Sequence, residues 1–406
     1  MKQKAKKPEL TSPAGDWCSL HTAIEAGADS VYFGVKGLNM RNLASNFDLL
    51  EIKKVVKVLH QHKKRAYLAL NVIVYNNEID KIKKILSEAK KSEIDGVILW
   101  DMAVFSLAKK MGLKVHLSTQ ASVSNFLALK KYAALGVKRA VLARECSLND
   151  IKQIAKKIKT AKLNCQLEAF IHGAMCVSIS GRCFLSEYSF AKSANRGECL
   201  QPCRRKFLIT DLEKESEYIL GQDYLLSPKD LCTIDFIDQL IEAGIAAFKI
   251  EGRNRSPEYV RVVTSVYRRA IDAYFSNQLT EQLKKKLKAE LSCVYNRGFS
   301  SGFYLGQPKD WKATRLEHSH EKVYVGEVLK FYKQIKVAEL WVRDHSLKKG
   351  DDIVCLGKNT PANFATVSDI QVNHCFVDEL KRGQKGGLKL PFILKPGDKV
   401  FLWKKK

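Results

Sequence analysis

With 406 residues and 46% hydrophobic side chains, the chain can bury one large core and a second smaller one. No apolar stretch reaches membrane-spanning length, and the basic start "MKQKAKKPEL" lacks the apolar core of a signal peptide, so a membrane-spanning or secreted protein is not expected. The 69 Lys and Arg against 43 Asp and Glu leave a formal charge of +26, which favours polyanionic partners, nucleic acid before an anionic membrane.

That charge is permissive, because many lysines, as in "EIKKVVKVLHQHKKR", lie opposite apolar positions at helical spacing, as they do on solvated helix faces. The expected compartment is the cytoplasm, where reducing conditions disfavour structural disulfides.

In chain order, the first two-thirds alternate short apolar runs with amphipathic segments, the pattern of βα units around a parallel sheet. Strands are predicted at "ELTSP", "SVYFGV", "RAYLALNV", "DGVILWD", "KVHLSTQ", "RAVLARE", "CQLEAFIHG" and "AAFKIEGR". Helices lie between them, such as "DWCSLHTAIEAGA" with Asp16 as N-cap and "TIDFIDQLIEAGI" closed by a glycine. Eight such units in a stretch of roughly 250 residues predict a TIM-barrel-like (β/α) domain. A ninth run, "DYLLSPKDL", is either a displacing barrel strand or part of an insertion, and an open doubly wound sheet is the alternative fold. Polar residues fall just after these runs: Asn71, Asp101, Gln120, Glu145, His172 and the triplet Glu251 to Arg253. In a parallel α/β domain those positions line the ligand-binding end of the strands.

The segment "HGAMCVSISGRCFLSEYSFAKSANRGECLQPCRR", His172 to Arg205, holds Cys176, Cys183, Cys199 and Cys203, and Cys232 follows in "SPKDLC". These are five of the chain's 11 cysteines, in polar, Gly-rich sequence. An iron-sulfur cluster is held by four thiolates, with nearby amides bonding the sulfurs and Arg182, Arg204 and Arg205 offsetting the charge. Structural zinc prefers tight knuckles, which only the Cys199 and Cys203 pair approaches. Cys18, Cys146, Cys165, Cys293, Cys355 and Cys375 are scattered, as buried free cysteines are.

From about Glu321 the texture changes to short alternating runs split by Gly, Lys and Asp, which predicts a small all-β barrel domain. The expected boundaries are 1–315 for the large domain and 321–406 for the small one, an accessory RNA-binding unit, with the linker inside "GQPKDWKATRLEHSHEK". Its Phe331, Tyr332, Trp341 and Phe376 are candidates for stacking bases, although alternating strands more often bury aromatics.

"EAFIHGAMCVSISGRCFLS", "LTSPAGDWCSLHTAIEAGADSVYFG", "SPKDLC" and "KIEGRNRSPEYVRVVTSVYRRAID" together resemble the collagenase-like peptidase family, which includes tRNA and ribosomal RNA hydroxylation proteins and a ubiquinone hydroxylation pair. The resemblance implies a TIM-barrel-like domain with a four-iron four-sulfur (4Fe-4S) cluster. It implies Cys176 and Cys183 as two ligands, Cys199 as the third with Cys203 as its rival, and Cys232 as the fourth. Relatives that use both Cys199 and Cys203 put Cys232 in doubt. The added carboxyl-terminal domain resembles the branch that makes 5-hydroxyuridine at the tRNA wobble position, for which prephenate is the implied co-substrate. tRNA, with ribosomal RNA as alternative, and an electron donor are the implied partners.

The sequence shows no H-E-x-x-H zinc helix and no cysteine in a papain-type setting, so peptidase activity ranks behind RNA hydroxylation. A third reading is a non-catalytic RNA-binding or assembly factor with a structural cluster. For the hydroxylase, Glu168, His172 and Glu251 are candidates for proton transfer, and Arg204 and Arg253 for gripping a carboxylate or phosphate. Each has a plainer role: Glu251 and Arg253 paired with each other, His172 orienting a cluster ligand, Glu168 as a structural carboxylate of the barrel interior.

Overall fold

The computed structural model describes residues 6–205, 226–307, 313 and 316–406. All eight predicted strands form: β1 (Glu9–Pro13), β2 (Ser30–Gly34), β3 (Arg65–Ala69), β4 (Gly96–Leu99), β5 (Val115–Leu117), β6 (Arg139–Val141), β7 (Gln166–Gly173) and, after β8 (Asp230–Cys232), β9 (Ala247–Ile250). Strands β1 to β7 pair in sequence order and in parallel, and β9 pairs in parallel with both β7 and β1, closing an eight-stranded barrel. An α-helix follows each barrel strand, the last being Pro257–Phe275. The fold is therefore a TIM-like (β/α)8 barrel and not an open sheet. Of the ninth run, the described part ends in β8, which lies antiparallel along the end of β7, outside the closed barrel.

Local chemistry explains these elements. Asp16 caps the helix Trp17–Glu25 by accepting from the Ser19 amide at 2.7 Å. In Ile52–Gln61, Ile52, Val55, Val56 and Leu59 are buried while Lys53, Lys54 and Lys57 face solvent. Pro257 opens its helix at a position where a missing N–H costs nothing, although the Ser256 hydroxyl makes no capping bond. The large core lies between the strands and the helices. Tyr32, Tyr67 and Ile98 form a small apolar cluster inside the barrel, beside the buried polar side chains His116, Arg139, Glu168 and Lys249.

Residues beyond His320 form an eight-stranded antiparallel sheet. Its order is Thr360–Thr366, Asp352–Gly357, Lys399–Lys405, His320–Tyr332, Val337–Val342, Lys385–Lys389, Ile370–Val372 and Cys375–Val377. It has its own core, including Val325, Leu340, Ile353, Leu388 and Val400. The sheet docks on the outer wall of the barrel. The Ala362 amide donates to Thr22 Oγ1 at 2.9 Å, the Cys18 thiol to the Thr360 carbonyl at 3.3 Å, and Lys322 pairs with Glu258 at 3.1 Å. Part of the expected linker lies outside the described residues. No helix among the described residues is long and apolar enough to cross a membrane.

Candidate active site: a four-cysteine loop over an arginine-rich cavity

The carboxyl ends of the barrel strands open into a cavity. Its floor comes from side chains pointing into the barrel at alternate positions, including Tyr32, Ile98, Phe170 and Lys249. Its roof is the loop after β7, which brings Cys176, Cys183, Cys199 and Cys203 to the same cavity. The loop is tied to its neighbours across the mouth. The Asn42 amide donates to Gly197 O at 3.0 Å, Gln120 Nε2 to Ser180 O at 3.2 Å, and Arg196 Nη1 to Glu78 Oε2 at 2.9 Å. Gly197 sits at φ +83°, and a Cβ there would stand 2.0 Å from the Asn39 carbonyl oxygen, so only glycine allows this approach.

Three thiols share one local geometry. The amide two residues further on reaches each sulfur at 3.4 Å: Ser178 N to Cys176, Leu185 N to Cys183 and Gln201 N to Cys199. Burial pushes the Cys199 and Cys203 thiols up, opposed at Cys199 by the Gln201 amide and Arg41, and at Cys203 by Arg204. Cys232, the expected fourth ligand, does not line the cavity. It lies on β8, buried, where the Tyr267 hydroxyl approaches its sulfur at 3.8 Å, and burial pushes its thiol up to about 11. The fourth sulfur at the cavity belongs to Cys203. Among the described residues no three His, Cys, Asp or Glu side chains stand close enough to share one metal ion.

Beneath the loop, Glu251 is held between Arg41 Nη2 at 2.8 Å and Arg144 Nη2 at 3.9 Å. Burial alone would raise its carboxyl; Arg41, Arg144 and Arg253 outweigh that and hold it below the usual carboxylate range. The expected Glu251 and Arg253 pair is replaced by this arrangement. Arg253 instead donates from Nη1 to Asn39 Oδ1 at 2.8 Å, and its buried Nε has no hydrogen-bond partner. Burial lowers Arg253 to about 10, which leaves it charged at neutral pH. Arg204 also borders the cavity, but its guanidinium donates to Ser227 Oγ at 2.6 Å, Pro228 O at 2.7 Å and Met175 O at 2.5 Å. Those bonds make it a clamp on the cysteine loop.

The expected proton-transfer residues Glu168 and His172 fall outside the cavity lining. Glu168 lies below it, fully buried, with Lys249 Nζ at 2.8 Å and Arg139 Nη1 at 3.3 Å. His172 packs among Tyr259, Tyr267 and Phe299, with Nδ1 3.3 Å from the Tyr267 hydroxyl. Asn71 and Gln120 line the cavity, whereas Asp101 caps a helix and Glu145 is exposed. Sequence reasoning missed Asn39 and Arg41, which lie in the βα loop after β2, and Arg144, which directly precedes Glu145 at the end of the β6 run.

His172 and His116 are buried, and burial lowers each to about 3, against an ordinary value near 6.5. Between those values the unfolded chain binds protons that the folded chain does not. Their stabilising effect is therefore complete above pH 6.5 and is lost as pH falls towards 3. Urea unfolding should accordingly show stability dropping between pH 7 and 4.5. His172→Phe should shallow that slope by close to one proton; an unchanged slope would mean that His172 is not held neutral.

These features define a (β/α)8 barrel whose strand carboxyl ends open into a cavity roofed by a cysteine loop and lined by arginines. The chain belongs to peptidase family U32, whose pattern matches residues 15–314. It is 42% identical over 405 residues to an uncharacterised protease of Methanocaldococcus jannaschii, covering 98% of each chain. It is 36% identical over 412 residues to a collagenase of Porphyromonas gingivalis, again covering 98% of each. A tRNA hydroxylation protein of Bacillus subtilis is 34% identical over 360 residues, 87% of this chain and 84% of that one.

Proposed function

We propose that this chain is a cytoplasmic iron-sulfur enzyme that hydroxylates a pyrimidine base in RNA, with the tRNA wobble uridine as first substrate and 5-hydroxyuridine as product. The observation that carries it is the convergence of four thiols, three bonded by backbone amides, on the arginine-lined cavity. The donor set fits a 4Fe-4S cluster on Cys176, Cys183, Cys199 and Cys203, because amide bonds to sulfur favour thiolate over thiol. Tetrahedral zinc, with bonds of about 2.3 Å, needs its sulfurs within about 4 Å of one another. A cluster gives each thiolate its own iron and so does not require the sulfurs to meet around one ion. When bound, the cluster would supply electron transfer or a binding point for an oxygen-bearing group, with an external electron donor as partner.

The protein's own residues would handle the small co-substrate. Arg253, with its free buried Nε, and the neighbouring Arg41 and Arg144 suit a carboxylate ligand such as prephenate. The relative named for tRNA hydroxylation and the formal charge of +26 support RNA as the larger substrate. The relatives named protease and collagenase raise the rival reading, for which His172 would have to serve Cys176 as base. His172 instead faces Tyr267. Mass spectrometry of tRNA nucleosides from cells with and without the protein tests the proposal: hydroxylated uridine should vanish with the gene. An unchanged profile would overturn the tRNA assignment and turn the search to ribosomal RNA.

A further inference from the structure

The described residues place an unpartnered aromatic pair at the cavity rim. Phe184 and Tyr188 are 66% and 89% exposed, on the short helix Leu185–Phe190 and the residue before it. The Tyr188 amide donates to the Phe184 carbonyl at 2.9 Å, so the two side chains stand four residues apart on one face. The opposite face of the same turn is engaged: Cys183, Leu185 and Ser186 line the cavity, and Ser186 Oγ accepts from the Leu200 amide at 3.0 Å. One turn of helix thus shows sulfur to the cavity and two rings to solvent. Between residues 172 and 205 the loop also exposes Ile179 and Leu200, together with the cations Arg182, Lys192 and Arg205, and Glu187 is the one exposed acid among the described residues of that stretch.

We propose that this rim is the docking surface for a single-stranded RNA loop, with Phe184 and Tyr188 each stacking on an unpaired base next to the one presented to the cavity. This rests on the RNA reading of the cavity. A base inside a duplex cannot reach a cavity roofed by a protein loop, so its neighbours must be splayed and held as well. Exposed aromatic rings among cations are the usual means of holding unpaired bases, because every base has a π face and every linkage a negative charge. Charge decides between occupants: an apolar protein partner would not call for arginine and lysine interleaved with the rings.

The proposal moves base stacking away from the carboxyl-terminal sheet. There Trp341 is covered by the Arg343 guanidinium at 3.2 Å, Phe331 packs on the core, and Tyr332 reaches Glu339 at 3.4 Å. Phe376 alone of the four expected stackers is largely exposed.

The test uses full-length protein reconstituted with iron and sulfide, and unmodified tRNA as probe. Phe184→Leu/Tyr188→Leu keeps the apolar volume and removes the rings; Tyr188→Phe keeps the ring. The leucine double variant should match the wild type in iron content and bind tRNA at least tenfold more weakly, because stacking is lost at two bases. Tyr188→Phe should bind within twofold of wild type. If the leucine variant binds and modifies tRNA as the wild type does, the rim proposal falls while the function stands. If the wild type itself binds neither tRNA nor a ribosomal RNA fragment, both fall together. If the leucine substitutions leave RNA affinity intact and convert a dimer to a monomer by sedimentation, the face belongs to a second copy of this chain, and the proposal is overturned.

Discussion

Serine at Cys203 should strip iron from anaerobically reconstituted protein, whereas serine at Cys232 should leave the protein brown with a full complement of iron. The two positions compete for the fourth place on the proposed cluster, and they lie in different surroundings. Cys203 borders the same cavity as Cys176, Cys183 and Cys199. Cys232 is on β8, with the Tyr267 hydroxyl against its sulfur and burial disfavouring the thiolate that iron requires. Serine at Cys176, Cys183 or Cys199 should also lower iron, since a cluster left with three thiolates is more open to solvent and loss. Iron and sulfide assays with visible absorbance give the readout. The reverse ranking, iron lost at Cys232 and kept at Cys203, would show that the loop rearranges around the metal.

Much of this arrangement was legible in the sequence because parallel strands buried on both faces read as apolar runs, and the eight runs predicted as strands all form the barrel, while the ninth does not. Period-two alternation also carries past the strand end on β9, where Lys249, Glu251 and Arg253 all line the cavity. The same rule misleads at His172. Glu168 and Phe170 point into the barrel, so His172 should follow them, but the pairing of β7 with β9 shifts register between Phe170 and His172. That irregularity turns the imidazole toward Tyr267, as bulges commonly re-aim side chains near active sites.

The arginines around Glu251 were hidden for a different reason. Arg41 and Arg144 sit 210 and 107 residues away in sequence, in loops whose conformation is set by tertiary bonds and not by a local pattern. The cysteine loop shows the intermediate case. Its density of thiols marks a site, yet which sulfurs face the cavity depends on β8 turning back along β7, where Cys232 pairs with His172 and does not line the cavity.

Removing the Glu168 carboxylate should destabilise the folded barrel by about 3–5 kcal/mol, the range for leaving buried charges uncompensated. The carboxylate lies between Lys249 at 2.8 Å and Arg139 at 3.3 Å, all three side chains almost fully buried. Burial would raise the Glu168 carboxyl, but the two cations outweigh it and keep it ionised. Glu168→Ala strands the Lys249 ammonium among Tyr32 and Phe170. Arg139 retains Glu9 at 2.8 Å, so most of the damage should sit at the lysine. The double variant Glu168→Ala/Lys249→Met removes both charges and should recover a large part of the loss. A double-mutant cycle by thermal or urea denaturation therefore separates an electrostatic role from a packing role. If Glu168→Ala unfolds no more easily than the wild type, the carboxylate is not the counter-ion that the barrel interior needs, and its place beneath the cavity would have to be explained by chemistry there.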